Sequence, residues 1–471
     1  MIRMLDKGKI IAVRGQIAEV VFVKSQPKAH DVLFLESDPA VKAEVMQSSS
    51  DANTYSCLVF DRADKLERGS YMVNTGNALE IPVGKGILGR VINGFGNAID
   101  GKSEIVSEIK KPIYGHAPEF EKVAVFRETI ETGIKVIDFF CPILKGGKIG
   151  ILGGAGVGKT VMLTEILHQL MMRGSDKKNK TGNVTPIFAG VGERTRESQE
   201  LITSLASSGI LPASAVILGS MGEHAVARFL AAQSAVTVAE YFRDELKSDV
   251  LFFMDNAFRF AQAGNELAMM AKSLPSEDGY QPTLFSELAQ LHERLVSTSE
   301  NTLTTIEAIY IPNDDVLDQA VQTIFSYLDS AVVFSRDIYQ QNLLPAVDIL
   351  ASVSTALNPS IVGEDHYKTA VEAAALARKA ESLERIVALV GKSELSPENR
   401  IAYERAKKLR NFMTQNLFVL EAQMGPQHPG KLVFCKDTIR GVKAIMAGEL
   451  DDVDQENLLY IGGIDEVRTR I

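Results

Sequence analysis

Eight consecutive residues, Gly153, Gly154, Ala155, Gly156, Val157, Gly158, Lys159 and Thr160, follow the pattern G-x-x-x-x-G-K-[ST]. Glycines let successive backbone N–H groups turn toward one point, and such a nest holds phosphate oxygens. A helix opening at its far end would add the positive pole of its dipole. In that arrangement the loop cradles the α and β phosphates, Lys159 reaches the β and γ phosphates, and the Thr160 hydroxyl ligates Mg²⁺. The ligand class is therefore Mg-ATP or Mg-ADP, and the competing reading is a tight structural turn.

Two further segments carry carboxylates suited to the same chemistry. Asp249 to Asp255 reads DVLFFMD, an apolar run that delivers a carboxylate at its end. Asp255 is placed to hold Mg²⁺ through its water shell, or, more plainly, to cap the helix that follows. Ile187 to Glu197 reads IFAGVGERTRE, a strand-like run followed by Glu193, Arg194, Arg196 and Glu197. Glu193 at a strand end could orient or deprotonate an attacking water, while arginines neutralise charge developing on phosphoryl oxygens. The plainer alternative is a surface cluster of ion pairs.

The elements around these residues must supply a frame. Strand-like and helix-like segments alternate for most of the chain after Ile81-Pro82-Val83-Gly84, as a parallel sheet with covering helices requires. The clearest unit runs from a strand at Lys148 to Leu152 through the glycine loop into a helix from Thr160 to about Met172. Further strands are expected at Pro186 to Ala189, Ala215 to Leu218, Val250 to Met254 and Thr305 to Ile311. In an open α/β sheet ligands sit beyond the carboxyl ends of the strands, where Glu193 and Asp255 fall. Before this region, from Gly8 to about Ile81, short β-rich runs are divided by turn residues, and periodicity leaves barrel and sandwich both open. Beyond about Gly363 the pattern is helical, with one helix expected to stop at Gly391 and another to open at Ser396-Pro397-Glu398. The segment Arg173 to Asn183 is charged, punctuated by glycine and expected to be a solvated loop.

Composition limits the classes. The 471 residues suggest roughly three domains. Sixty acidic residues against 50 basic ones give a net charge of −10, which opposes a polyanion over the whole surface and disfavours a nucleic-acid motor. No run approaches the roughly 18 apolar residues of a membrane helix, and charges occupy the place of a signal-peptide core. Cys57, Cys141 and Cys435 have no metal-ligand spacing and are expected to be buried reduced thiols, as in the cytoplasm.

These motifs also carry a resemblance. TGIKVID at Thr132 to Asp138, KGGKIGILGGAGVGKT at Lys145 to Thr160, FAGVGERTRE at Phe188 to Glu197, TVAEYFRD at Thr237 to Asp244, DNAFRFAQAGNE at Asp255 to Glu266, GYQPTL at Gly279 to Leu284 and IVGEDHY at Ile361 to Tyr367 together resemble the beta subunits of F-type ATP synthases. The likeness is strong from about Thr132 to Tyr367 and weak in the first 80 residues. It implies that Lys159 and Thr160 bind phosphate and Mg²⁺, that Glu193 handles the catalytic water, and that Glu197 and Asp255 support the metal. It places Arg194 and Arg259 toward the γ phosphate, and Tyr310 beside the pocket. It also implies a three-plus-three hexamer with an alpha-type subunit that supplies an arginine finger in trans, a gamma-type central shaft pushed by the helical region, and a membrane rotor and stator reached indirectly. Such a chain is peripheral, on the cytoplasmic side of the membrane, and binds no nucleic acid.

The sequence departs from the family's pattern in places. Where the family lines its adenine pocket with aromatic rings, this chain has Leu344, Leu417 and Gln423, with Phe418 and Met424 as nearby substitutes. The acidic lever motif of the helical region is reduced to Ser393-Glu394-Leu395-Ser396-Pro397-Glu398-Asn399, and Thr355 stands where an Arg is usual. The expected fold is multidomain α/β: an N-terminal β-barrel over 1–81, a P-loop, RecA-like nucleotide-binding domain over 82–362 and a C-terminal helical bundle over 363–471. The expected function is that of the catalytic subunit of a rotary ATP synthase or ATPase. A largely non-catalytic nucleotide-binding subunit and a specialised paralogue driving another load are the alternatives.

Overall fold

The computed structural model describes residues 6–24, 26–48, 53–107, 109–174, 184–424 and 428–467, with backbone alone at 172–174, 314, 390 and 422–424. The loop expected after Arg173 lies largely outside the described residues.

In the N-terminal region, strands Lys7–Arg14, Ile17–Phe22, Val32–Leu35, Asp38–Ser48, Thr54–Val59 and Tyr71–Asn74 close into a barrel in the order first, second, fifth, fourth, third, sixth. The closing pair is Lys7 to Lys9 against Tyr71 to Val73. Closure leaves no free edge, which decides for a barrel over a sandwich. Alternate residues point inward, and Ile10, Val20, Phe22, Leu33, Val45, Cys57 and Met72 fill the interior.

The central region is built on an eight-stranded sheet ordered Val353–Ser354, Ser330–Val333, Lys148–Gly153, Leu303–Tyr310, Asp249–Asp255, Val184–Val191, Ala215–Gly219, Arg90–Asn93. Every neighbouring pair is parallel except the first, an antiparallel edge. Five of these strands are those expected from sequence; Arg90–Asn93, Ser330–Val333 and Val353–Ser354 are additional. Their burial explains why the runs are apolar rather than alternating. Phe252 packs into one core with helix Ala225–Asp244, while Phe253, next along the strand, packs into the other with Met162 and Ile166 of helix Lys159–Gly174.

The C-terminal region is helical: Glu364–Val390, Pro397–Phe412, Phe418–Met424 and Cys435–Ala447. The first of these ends at Gly391, whose φ of 89° suits glycine. The second is capped by Ser396, whose hydroxyl accepts from Asn399 N, with Pro397 at its first position. The reduced lever motif therefore forms the turn between two long helices. Among the cysteines, Cys57 and Cys141 are buried and Cys435 is only half-buried; all three are free.

Lys135 joins the helical region to the sheet. Its side chain is fully buried, and Nζ donates to the carbonyls of Phe412 at 2.6 Å and Ile461 at 2.5 Å and lies 4.6 Å from the centre of the Phe412 ring. Phe412 ends the helix Pro397–Phe412, so the ammonium sits at the negative pole of that helix. Lys135→Met keeps the stem but removes the donors. It is expected to cost about 2–4 kcal/mol and to appear as a lowered thermal midpoint.

Candidate functional site

The glycine loop joins strand Lys148–Gly153 to helix Lys159–Gly174 at the carboxyl edge of the sheet, so its N–H groups and the helix N-terminus face one cleft. The cleft has a volume of about 830 Å³, and Ala155 to Thr160, Glu193, Arg194, Glu197, Asp255, Arg259, Tyr310 and Leu344 all line it. The residues singled out from three separate stretches of sequence therefore meet at one place. Lys159 Nζ is folded over the loop, donating to the carbonyls of Gly153 at 2.9 Å and Gly154 at 2.6 Å. Its ammonium lies 5.9 Å from the centre of the Tyr310 ring.

Asp255 ends the strand neighbouring Leu303–Tyr310, and Thr160 Oγ1 donates to its Oδ2 at 2.9 Å. Across from this pair Glu193 stands half-buried at the start of helix Thr195–Ser207, and its carboxyl is hydrogen-bonded to Glu197 in that helix's first turn. Removal from water pushes Glu193 up to about 8, and the charges of Asp255 and Glu197 push the same way against a smaller opposing effect of Arg259. Asp255 is raised too, chiefly by burial, although Thr160 and Lys159 pull it down. The site thus gathers the carboxyl groups of Glu193, Glu197 and Asp255 in one cleft, together with Lys159, Arg194 and Arg259.

Among the described residues no group of three or more His, Cys, Asp and Glu side chains forms a metal cage. Mg²⁺ does not need one, since it binds through one or two protein oxygens and completes its octahedron with water and phosphate oxygens. The Thr160 hydroxyl beside the Asp255 carboxylate fits a metal that arrives with a nucleotide.

The positions of the remaining polar groups follow from local packing. Gly192 has a φ of 68°, and a Cβ there would lie 2.9 Å from the Cβ of Arg259, so glycine alone lets the strand carrying Glu193 pass so close. Met221 N donates to the Glu193 carbonyl at 2.8 Å and fixes the backbone there. Arg259 donates to Gln262 at 2.7 Å and lies 5.3 Å from the Tyr310 ring centre. Arg194 is exposed at the mouth of the cleft, 4.0 Å from Glu197. Asn256 was not singled out from sequence. Its Oδ1 accepts from Phe258 N at 3.0 Å and Tyr310 N at 3.2 Å, tying the helix that carries Arg259 to the strand that carries Tyr310. An Asn directly before an apolar helical run is the N-cap signal that marks it.

The apolar part of the lining is mainly aliphatic, with Leu344, Pro345, Ala346, Leu417, Val419 and Leu420, and it has two rings, Tyr339 and Phe334, the latter packed close to Gly153. Leu344 and Leu417 both line the cleft. Phe418 is not a substitute ring for the cleft. It packs 5.4 Å from the His168 ring and so closely on Gly430 that a Cβ there would lie 2.5 Å from it. The side chains of Gln423 and Met424 lie outside the described ones. Phe334 and Tyr339 had no signal in the sequence, because nothing local marks a ring as facing a cleft built by other segments.

No helix among the described residues is long and apolar enough to cross a membrane. Residues 133–354 match the model of the ATP synthase alpha/beta family, nucleotide-binding domain, and residues 355–451 match that of the C-terminal domain of V and A type ATP synthase. The first match contains the cleft edge from the glycine loop to Leu344, and the second begins directly after strand Val353–Ser354 and takes in helices Glu364–Val390, Pro397–Phe412 and Cys435–Ala447. Over residues 133–354 the chain therefore carries a nucleotide-binding domain of the ATP synthase alpha/beta family.

Proposed function

We propose that the chain is the catalytic, beta-type subunit of an F-type rotary ATP synthase or ATPase, interconverting ATP plus water with ADP plus phosphate. The observation that carries this is the Glu193 carboxyl just beyond a strand end, lining the same cleft as the phosphate loop and the Thr160–Asp255 pair and near enough to Asp255 to be raised by its charge. A subunit that only held nucleotide would have no use for a buried carboxyl kept at the γ-phosphate end at the expense of its hydration.

In this reading the loop N–H groups and Lys159 hold the phosphates, and Thr160 and Asp255, supported by Glu197, hold Mg²⁺. The metal would supply charge neutralisation at the phosphate oxygens. With the charges of Asp255 and Glu197 offset, Glu193 returns toward the ordinary carboxylate range and can orient a water and accept its proton. Arg259 from within the cleft, and Arg194 from its mouth, face the charge that develops as the bond to the leaving oxygen lengthens. Run backward, the same groups join phosphate to ADP.

The partners that complete this reading are an alpha-type chain alternating with this one in a three-plus-three hexamer, its arginine finger reaching the cleft in trans, and a gamma-type shaft. Ion transport through a membrane rotor and stator would couple to rotation of that shaft, with the chain peripheral on the cytoplasmic side. An arginine finger is worth roughly 10³–10⁵ in turnover. The chain alone is therefore expected to hydrolyse Mg-ATP at least about 100-fold more slowly than the assembly with an alpha-type partner, measured by phosphate release. Equal rates would overturn the shared site.

The match of residues 355–451 to the V and A type C-terminal domain favours a second reading, a subunit of that branch of the same machinery. Co-purification of the shaft and stalk chains distinguishes the two. The mainly aliphatic lining around Leu344 and Leu417 favours a largely non-catalytic subunit, which the same comparison of rates would expose.

A further inference from the structure

Both main-chain groups of Leu344 are held from the C-terminal region. Leu344 N donates to the Tyr460 hydroxyl at 3.3 Å, and Leu344 O accepts from Gln415 N at 2.8 Å. The Tyr460 hydroxyl in turn donates to the carbonyl of Asn342, so one phenol oxygen spans two peptide groups of the turn from Asn342 to Ala346. Tyr460 is itself placed with care. Its N–H donates to Thr414 Oγ1 at 2.8 Å, and its φ of 56° lies in the left-handed region that a bulky residue adopts only when its surroundings impose it.

The turn held in this way forms part of the wall of the cleft. Leu344, Pro345 and Ala346 line it directly, opposite Leu417, Val419 and Leu420. Tyr460 does not line the cleft; it reaches the wall from behind. At its other end the turn is tied to the residue after Phe334, a ring that also lines the cleft, by Ser335 N donating to Ala346 O at 2.9 Å. With the lining mainly aliphatic at Leu344, Pro345, Ala346, Leu417, Val419 and Leu420, the base of a nucleotide would be gripped largely by shape and contact with these side chains. A gap of roughly 0.5–1 Å already forfeits about a quarter to a half of such contact, so the position of the wall governs it.

We propose that Tyr460 is a positioning residue for the base of the nucleotide, setting the wall at Leu344 through the two hydrogen bonds of its hydroxyl. The inference rests on the nucleotide-binding reading of the cleft. It makes the chain's last described segment, far from the phosphate loop, a determinant of affinity for the base and not for the phosphates. Any displacement of the helical region that carries Thr414 and Tyr460 would then reach the base end of the cleft first.

The test is Tyr460→Phe in the full chain, which keeps the ring and removes only the oxygen. Two probes are compared, Mg-ATP and Mg-tripolyphosphate, the second having the phosphate chain without ribose or base. The expected result is an ATP Kd about 5–10-fold weaker, the scale of one or two neutral hydrogen bonds, with tripolyphosphate affinity unchanged. In the assembled enzyme KM for ATP rises by the same factor and kcat stays within about twofold. Unchanged ATP affinity in the variant, beside a wild type that binds ATP, overturns the role of Tyr460 and leaves the nucleotide reading standing. Equal weakening of both probes overturns it as well, since that is the signature of general destabilisation. A wild-type chain that binds neither probe overturns the nucleotide reading itself.

Discussion

Replacing Glu193 by Gln is expected to lower Mg-ATP turnover of the assembled complex by roughly 10²–10⁴-fold, the contribution of a positioned general base. Gln keeps the shape of the side chain and can still accept one hydrogen bond, but it cannot take a proton from water. Nucleotide affinity should hold or improve, because the substitution removes one of three clustered carboxylates. Turnover measured by phosphate release, beside affinity from nucleotide titration, separates the two effects. A variant that retains more than about a tenth of wild-type turnover would remove the base from the mechanism.

The same substitution has a second readout that needs no nucleotide. The Glu193 carboxyl is raised from 4.5 to about 8 by burial and by the charges of Asp255 and Glu197. A raised folded value means that the folded chain binds the proton more tightly than the unfolded chain does. The stability from this group is therefore fully present below about pH 4.5 and is lost as pH rises toward 8. Glu193→Gln removes that loss. Discounting for the group's partial exposure, the variant should be about 1–2 kcal/mol more stable than wild type at pH 9, with the difference closing near pH 4. Thermal or denaturant unfolding of the nucleotide-free chain across that range decides the matter. A gap that does not depend on pH would mean that Glu193 carries its charge in the folded protein without penalty.

Lys159→Met is expected to have the second large effect. Its ammonium donates to two loop carbonyls, Gly153 and Gly154, and is poised to exchange them for phosphate oxygens by rotation of the side chain. Hydrogen bonds to charged groups contribute about 1.5–3 kcal/mol each, so losing two at the β and γ phosphates should lower kcat/KM by at least about 10²-fold. Met preserves the aliphatic stem against Tyr310, and the two carbonyls it leaves can be reached by water. The thermal midpoint of the nucleotide-free chain is therefore expected to change little while binding of Mg-ATP and Mg-tripolyphosphate falls together. That joint loss is the opposite of the pattern expected for Tyr460→Phe, where only the nucleotide is affected. The two variants thus separate the phosphate end of the cleft from its base end.

How much of this could be read along the chain follows from how each part is built. The phosphate loop is contiguous: the turn, the positive φ values at Gly156 and Gly158, the lysine and the threonine all lie within one short stretch, so the motif states its own geometry. Glu193 and Asp255 were legible for a related reason. Each follows an apolar run long enough to be a buried parallel strand, and in such a sheet the residue after the strand emerges at the edge where ligands bind. The family motifs named the chemistry of that edge before any strand order was known.

What only the tertiary structure decided depends on contacts between segments distant in sequence. Periodicity along Lys7–Arg14 shows which side chains point inward but not that this strand meets Tyr71–Asn74, so closure into a barrel was open until the pairing was seen. The base end of the cleft is assembled from 334–346 and 417–420 and braced from 460, and no local pattern ties Phe334, Tyr339 or Tyr460 to it. The family resemblance likewise offered Phe418 as a substitute pocket ring, whereas packing turns it toward His168. The burial of Lys135 against the end of helix Pro397–Phe412 could not be anticipated either, because a lysine is ordinarily exposed and its carbonyl partners lie in distant segments. By itself, then, the sequence determined the phosphate chemistry, because a backbone nest and a strand end are local consequences of residue order. The wall that receives the base, and the contacts that hold it, were decided by packing across the fold.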